Sequence, residues 1–90
     1  MNRFIVDTNM LIRTLVDDND PQRQAILSIL TRVSSGEIIL VVRNEVVIEA
    51  VWVLKSYYKL PRASIARAVG RFLGSDGIES SREIRTAIGY

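Results

Sequence analysis

Residues 3–12 read RFIVDTNMLI: an apolar run, Phe4-Ile5-Val6, stops at Asp7-Thr8-Asn9 and resumes as Met10-Leu11-Ile12. A short, partly β-branched run of this kind suits a strand buried on both faces of a parallel sheet. Asp7 to Asn9 are N-cap residue types, and Met10, Leu11, Ile12, Leu15 and Val16 fit a short helix behind them. A strand over 3–6 leading through a polar turn into a helix is the opening of a β-α unit.

The rest of the chain continues that alternation. Asp17-Asp18-Asn19-Asp20 reads as a loop, and Asp20 before Pro21 as a cap followed by Pro at the first helical position. From Pro21 to Ser34 the apolar residues Ala25, Ile26, Ile29, Leu30 and Val33 recur at spacings of three and four, and Ser34-Ser35-Gly36 ends that helix. Ile38 to Val42 is an aliphatic run with the length of a second buried strand. Asn44 reads as the cap of a third helix reaching about Tyr58. Its β-branched content leaves propensity ambiguous, but its length and the short gap after the strand favour helix. Leu60-Pro61 opens a fourth helix carrying Ile65, Ala66, Val69, Phe72 and Leu73, closed by Gly74-Ser75-Asp76-Gly77. Ile78 to Ser80 fits a short third strand. Ser80-Ser81-Arg82-Glu83 matches a capping box with Ser80 at the cap, ahead of Ile84, Ala87 and Ile88. The order strand, helices, strand, helices, strand, helix points to a single α/β domain with a parallel sheet, spanning 1–90.

Composition narrows the chemistry. The 90 residues are 48% hydrophobic, and the mean hydropathy is +0.16. That argues for a packed chain and against disorder. Twelve Lys and Arg face ten Asp and Glu, so a net charge of +2 permits a polyanionic partner without requiring one. Cysteine and histidine are both absent, which removes disulfides, thiolate nucleophiles and Cys/His zinc sites. Catalysis in this chain rests on carboxylates, hydroxyls, amides and cations. No stretch approaches the roughly 18 apolar residues of a membrane span, and the start does not read as a signal peptide. A soluble, cytoplasmic protein is the expectation.

Two carboxylates stand out. Ligands of open parallel sheets bind at the carboxyl ends of the strands, where Asp7 sits, close to water and a helix N-terminus. Its plain structural role is a helix cap; its chemical one is metal ligation. Glu49 lies in VVIEAVWVL, where a lone carboxylate is costly unless paired, either with a cation such as Arg43 or with a metal. Glu45, one turn earlier, reads as a first-turn acid favoured by the helix dipole. Trp52 is read as core, with an interface alongside Tyr57-Tyr58 as the other role. Arg43, Lys55, Lys59 and Arg62 are candidates for a phosphate path, against the plainer reading of a solvated surface.

DTNMLIR at 7–13, VVRNEVVIEAVWVLKSYYKL at 41–60 and PRASIARAVGRFL at 61–73 together resemble the N-terminal portion of a PIN domain of the VapC type, the ribonuclease toxin of bacterial toxin–antitoxin pairs. The resemblance runs through essentially the whole chain in motif order and spacing. It implies a three-layer α/β/α sandwich, an acidic site holding Mg²⁺ or Mn²⁺, and hydrolysis of RNA phosphodiesters. In it Asp7 matches the first acidic ligand and Glu49 the second, while Thr8 and Asn9 match small polar positions beside the scissile phosphate. It also implies a small antitoxin protein as partner. Family members carry further aspartates past the position of Tyr90, so Asp76, Glu79 and Glu83 receive no catalytic role, and the chain is expected to be a partial PIN-like domain. The alternative that follows is a truncated, catalytically impaired protein retaining partner binding or self-association. Without further strands beside it, Ile5 and its neighbours are expected to form an open apolar edge, and the chain to pair as a homodimer through edges or exposed apolar faces.

Overall fold

The computed structural model describes residues 2–16 and 23–88. Among these, β1 (Asn2–Ile5), β2 (Ile38–Val41) and β3 (Ile78–Glu79) alternate with α1 (Thr8–Leu15), α2 (Arg23–Ser34), α3 (Asn44–Ser56), α4 (Arg62–Leu73) and α5 (Arg82–Ile88). The expected order of elements is the observed one, with boundaries moved by one or two residues. The acidic loop at 17–20 and the Asp20-Pro21 helix start lie outside the described residues.

The three strands form one parallel sheet in the order β1-β2-β3. Phe4 pairs with Leu40 and Ile5 with Val41, while Leu40 pairs with Ile78 and Val41 with Glu79. Pairing runs one residue further at the carboxyl ends, where the Val6 amide donates to the Val41 carbonyl at 2.9 Å and the Val42 amide to the Glu79 carbonyl at 2.8 Å.

Strands laid down in sequential order by right-handed crossovers carry their connecting helices on the same face of the sheet. The burial pattern agrees. Val6, Ile38, Leu40 and Val42 point to one face and are buried with Leu11, Val47, Leu54, Ile65 and Val69 from the helices. Ile39 and Val41 on the other face are only half-buried, Ile5 beside them is exposed, and Arg3 reaches across that face to form an ion pair with Glu79. The described residues therefore form a parallel α/β domain with its core on one side of the sheet. β1 is an edge strand exposed along its length, with Phe4 48% and Ile5 60% accessible: the open apolar edge expected at Ile5 is present, but the burial on both faces expected of this strand is not, because it has a neighbour on one side only.

Local chemistry explains the boundaries. α2 closes on Gly36 at φ +84°, the left-handed backbone that glycine adopts without cost, with the Glu37 amide returning to the Arg32 carbonyl at 3.0 Å. Gly77, at φ +82°, is tighter: a Cβ there would stand 2.6 Å from Val33 Cγ1. The α5 cap differs from the expected one by a residue. Ser81 Oγ, not Ser80, accepts the Ile84 amide at 3.0 Å, while Ser80 Oγ and its carbonyl accept Arg85 Nη1 at 3.1 and 2.6 Å. Arg43 likewise precedes α3 as its cap residue, without a side-chain cap bond, and Asn44 is the first helical residue. No helix among the described residues is long and apolar enough to cross a membrane.

Candidate functional site

Because the strands are parallel, their carboxyl ends share one rim of the sheet, and Asp7, Arg43 and Ser80 lie just past β1, β2 and β3 respectively. Asp7 has extended backbone, φ −92° and ψ 169°, and its Oδ1 accepts the Met10 amide at 2.8 Å, while its carbonyl accepts the Leu11 amide at 3.1 Å. It is thus the N-cap of α1, as its plain structural reading has it, and its side chain is exposed at the rim. One carboxylate oxygen suffices for the cap; Oδ2 has no hydrogen-bond partner among the described residues. Thr8 and Asn9 form the first turn behind it, Thr8 half-buried and Asn9 exposed, beside the unpaired amides and positive dipole end of the helix.

Glu49 sits in the second turn of α3, the helix against which α1 packs. Its environment differs from the one its sequence neighbours suggest. α3 buries Val47, Ala50 and Leu54, a stripe at i, i+3 and i+7, and Glu49 falls outside it, exposed and without an ion pair among the described residues. Only Val47, Ala50 and Leu54 of the apolar residues around Glu49 in sequence are fully buried, on the opposite side of the helix, so no burial cost compels a partner for it. The same geometry corrects Trp52: it is 65% exposed, not core, because it lies on the outer face with Glu45, Ile48 and Glu49. Glu45 occupies the first turn of α3 in the open, where the helix dipole favours an acid.

Asp7 thus stands at the strand-end rim and Glu49 on the outer face of α3, the helix against which α1 packs, and each presents free carboxylate oxygen to solvent. Their donor set suits a hard divalent cation, since Mg²⁺ is commonly held by one or two carboxylates with water and substrate oxygens completing the shell. Among the described residues no group of three or more acids is clustered closely enough to hold a metal by protein ligands alone.

Beside these acids the structure adds residues that the sequence did not single out as a set. An open crevice lined by Val41, Val42, Arg43, Asn44, Glu45, Glu79, Ser80 and Ser81 runs along the ends of β2 and β3. Ser81 Oγ donates to Asn44 Oδ1 at 2.7 Å while accepting the Ile84 amide, so one hydroxyl ties the start of α3 to the start of α5. The signal was present in the residues just after each strand, but those from separate strands become neighbours only through sheet order. Comparison with protein-family models, with curated proteins and with solved structures returned no match.

Proposed function

We propose that the chain is a PIN-type, VapC-like protein in which Asp7 and Glu49 serve metal-dependent endonucleolytic cleavage of RNA. The observation that carries this reading is Asp7 itself: a carboxylate at the carboxyl end of the first parallel strand, exposed, with one oxygen spent on the helix cap and the other free. A purely structural cap needs only the first oxygen. The three-layer α/β/α sandwich belongs to the same proposal. The half-covered sheet face of Ile5, Ile39 and Val41, with the bare β1 edge, is the surface that further strands and helices of such a fold would cover.

In this reading Asp7 and Glu49 hold Mg²⁺ or Mn²⁺, which supplies Lewis-acid polarisation of a phosphoryl oxygen. Asp7 is fixed in place by its cap bond to Met10. Thr8 and Asn9 offer a hydroxyl and an amide to a phosphate at the N-terminus of α1, where the free backbone amides favour an anion. Arg43 at the crevice and Lys55, Lys59 and Arg62 nearby in sequence are all exposed and supply the phosphate path. A small antitoxin protein is the partner that would close the acidic site, and self-association covers apolar surface that the single chain leaves open. A second reading, a catalytically impaired PIN-like protein that keeps only partner binding or self-association, is favoured by the lack of a third clustered acid among the described residues.

The test is cleavage of a mixed structured RNA in Mg²⁺ or Mn²⁺, beside Asp7→Asn and beside EDTA. Cleavage abolished by both controls supports the ribonuclease. Cleavage no greater than that of Asp7→Asn supports the impaired protein.

A further inference from the structure

Charge is not spread evenly over the chain. Helices α4 and α5 carry five arginines, Arg62, Arg67, Arg71, Arg82 and Arg85, against a single acid, Glu83, and all five are exposed. α4 packs against α5, and between them lies an open cleft of about 220 Å³ lined by Gly70, Gly74, Arg82, Arg85 and Thr86. The two glycines put no side chain into it. Arg67 and Arg71 stand three residues before Gly70 and Gly74, hence on the same side of α4. Four arginines from two helices therefore border one depression. A solvated helix face interleaves acids with its bases. α4 has no acid, so Arg67 and Arg71, one turn and about 6 Å apart along the axis, repel each other. The guanidinium groups of Arg67, Arg71 and Arg82 have no ion pair or hydrogen bond among the described residues. Arg85 is held by one nitrogen: Nη1 donates to the Ser80 carbonyl at 2.6 Å and to Ser80 Oγ at 3.1 Å, which leaves its other nitrogens for a ligand.

We infer that the cleft between α4 and α5 binds the phosphodiester backbone of RNA, with Arg67, Arg71, Arg82 and Arg85 pairing with its phosphates. Every cation bordering the cleft is arginine, whose planar fork meets a phosphate through two parallel hydrogen bonds. A phosphate between Arg67 and Arg71 turns their repulsion into attraction, and their spacing is comparable to that of successive phosphates along a strand. The cleft also adjoins the strand-end crevice: Ser80 and Ser81 line the crevice, Arg82 follows Ser81, and Arg85 grips Ser80. A strand leaving the crevice over Ser81 meets Arg82 next. None of the four arginines belongs to the metal site or to the phosphate path proposed above, so the cleft is an added anchoring surface. That the polyanion is RNA rests on the ribonuclease reading; the charge pattern by itself calls for a chain of phosphates.

Binding is measured apart from cleavage, by fluorescence anisotropy of a short labelled single-stranded RNA in EDTA. The wild type should bind with an affinity that falls with salt. Changing Arg67, Arg71 and Arg82 together to alanine should weaken binding by about tenfold or more and lower the log–log salt slope by about 0.7 per arginine. All three are exposed and unpartnered among the described residues, so helical circular dichroism should not change. Arg67→Lys with Arg71→Lys keeps the charge and loses the fork; it should retain most of the salt slope and lose several-fold in affinity. Arg32→Ala, which removes a cation from α2 outside the cleft, should change binding by less than about twofold. A triple variant that binds as tightly as the wild type, or an Arg32→Ala loss equal to that of Arg67→Ala, overturns the inference, since net charge alone would then account for binding. Polyglutamate that displaces the labelled RNA as readily as unlabelled RNA of equal charge overturns it too. Cleavage in Mg²⁺ separates this inference from the reading it rests on. RNA held through these arginines and never cut upholds the cleft and refutes the ribonuclease; RNA cut by a chain whose binding ignores them does the reverse.

Discussion

Asp7 is proposed to do two things at once, and substitution can separate them. Its Oδ1 accepts the Met10 amide at 2.8 Å, and its charge sits at the positive end of α1. The cap bond contributes about 1 kcal/mol and the charge–dipole term about 0.5 kcal/mol at an exposed site. Asparagine keeps the oxygen and loses the charge, so Asp7→Asn should cost about 0.5 kcal/mol; alanine loses both, and Asp7→Ala should cost about 1.5 kcal/mol. For a domain of this size those figures correspond to falls in Tm of about 3 °C and about 9 °C. Divalent cation separates the second role. If Asp7 is a ligand with a millimolar dissociation constant, 10 mM Mg²⁺ should stabilise the wild type by about 1.4 kcal/mol and leave both variants unmoved. The assay is thermal denaturation followed by circular dichroism in EDTA and in Mg²⁺. Asp7→Asn as damaging as Asp7→Ala in EDTA would refute the geometric cap. A Mg²⁺ shift that survives in Asp7→Asn would refute the ligand role while leaving the cap intact.

Three further outcomes follow from the packing. Leu40, fully buried at the centre of β2, should lose about 3 kcal/mol on Leu40→Ala, read as a drop in the urea midpoint at unchanged slope. That is a large part of the stability of a 90-residue domain, so partial unfolding at room temperature is expected. Gly77→Ala should cost about 2 kcal/mol or more, because it meets both a positive φ and Val33 Cγ1, whereas Gly36→Ala, with the same φ but open space around it, should cost about 1 kcal/mol; equal losses would show that the Val33 contact is irrelevant. Ser81→Ala should cost about 1 to 2 kcal/mol by removing the α5 cap and its link to Asn44, with hydrogen exchange accelerating first in α5; protection unchanged there would count against the cap.

Much of the fold was legible because short-range physics dictates it. The apolar runs at Phe4–Val6 and Ile38–Val42 are too short for helices and bounded by polar or turn residues, which makes them strands, the three-and-four spacing from Ala25 to Val33 makes a helix, and Gly36 and Gly77 punctuate where positive φ is needed. Asp7 was legible as both cap and candidate ligand, since a polar triplet inside a hydrophobic run marks a strand end. Trp52 and Glu49 were not. Along the chain both sit among valines and leucine, and adjacency suggests a buried tryptophan and a costly acid. On the helix they share the face opposite Val47, Ala50 and Leu54. α3 has apolar residues around much of its circumference, so periodicity alone could not say which of them would meet the core.

By itself, then, the sequence determined the kinds and order of the elements, the parallel α/β class, the exclusion of thiol and imidazole chemistry, and Asp7 as the residue that ends the first strand. These depend on residue type and on neighbours within a few positions. Only the tertiary structure decided that β1 is left exposed along its length, that the core gathers on one face of the sheet, that the residues after β2 and β3 line a common crevice, and that Ile48, Glu49 and Trp52 face outward. Each of those follows from which distant segments pack together, and the orientation of a helix with apolar residues on most of its sides is settled by the surface it packs on rather than by its own pattern.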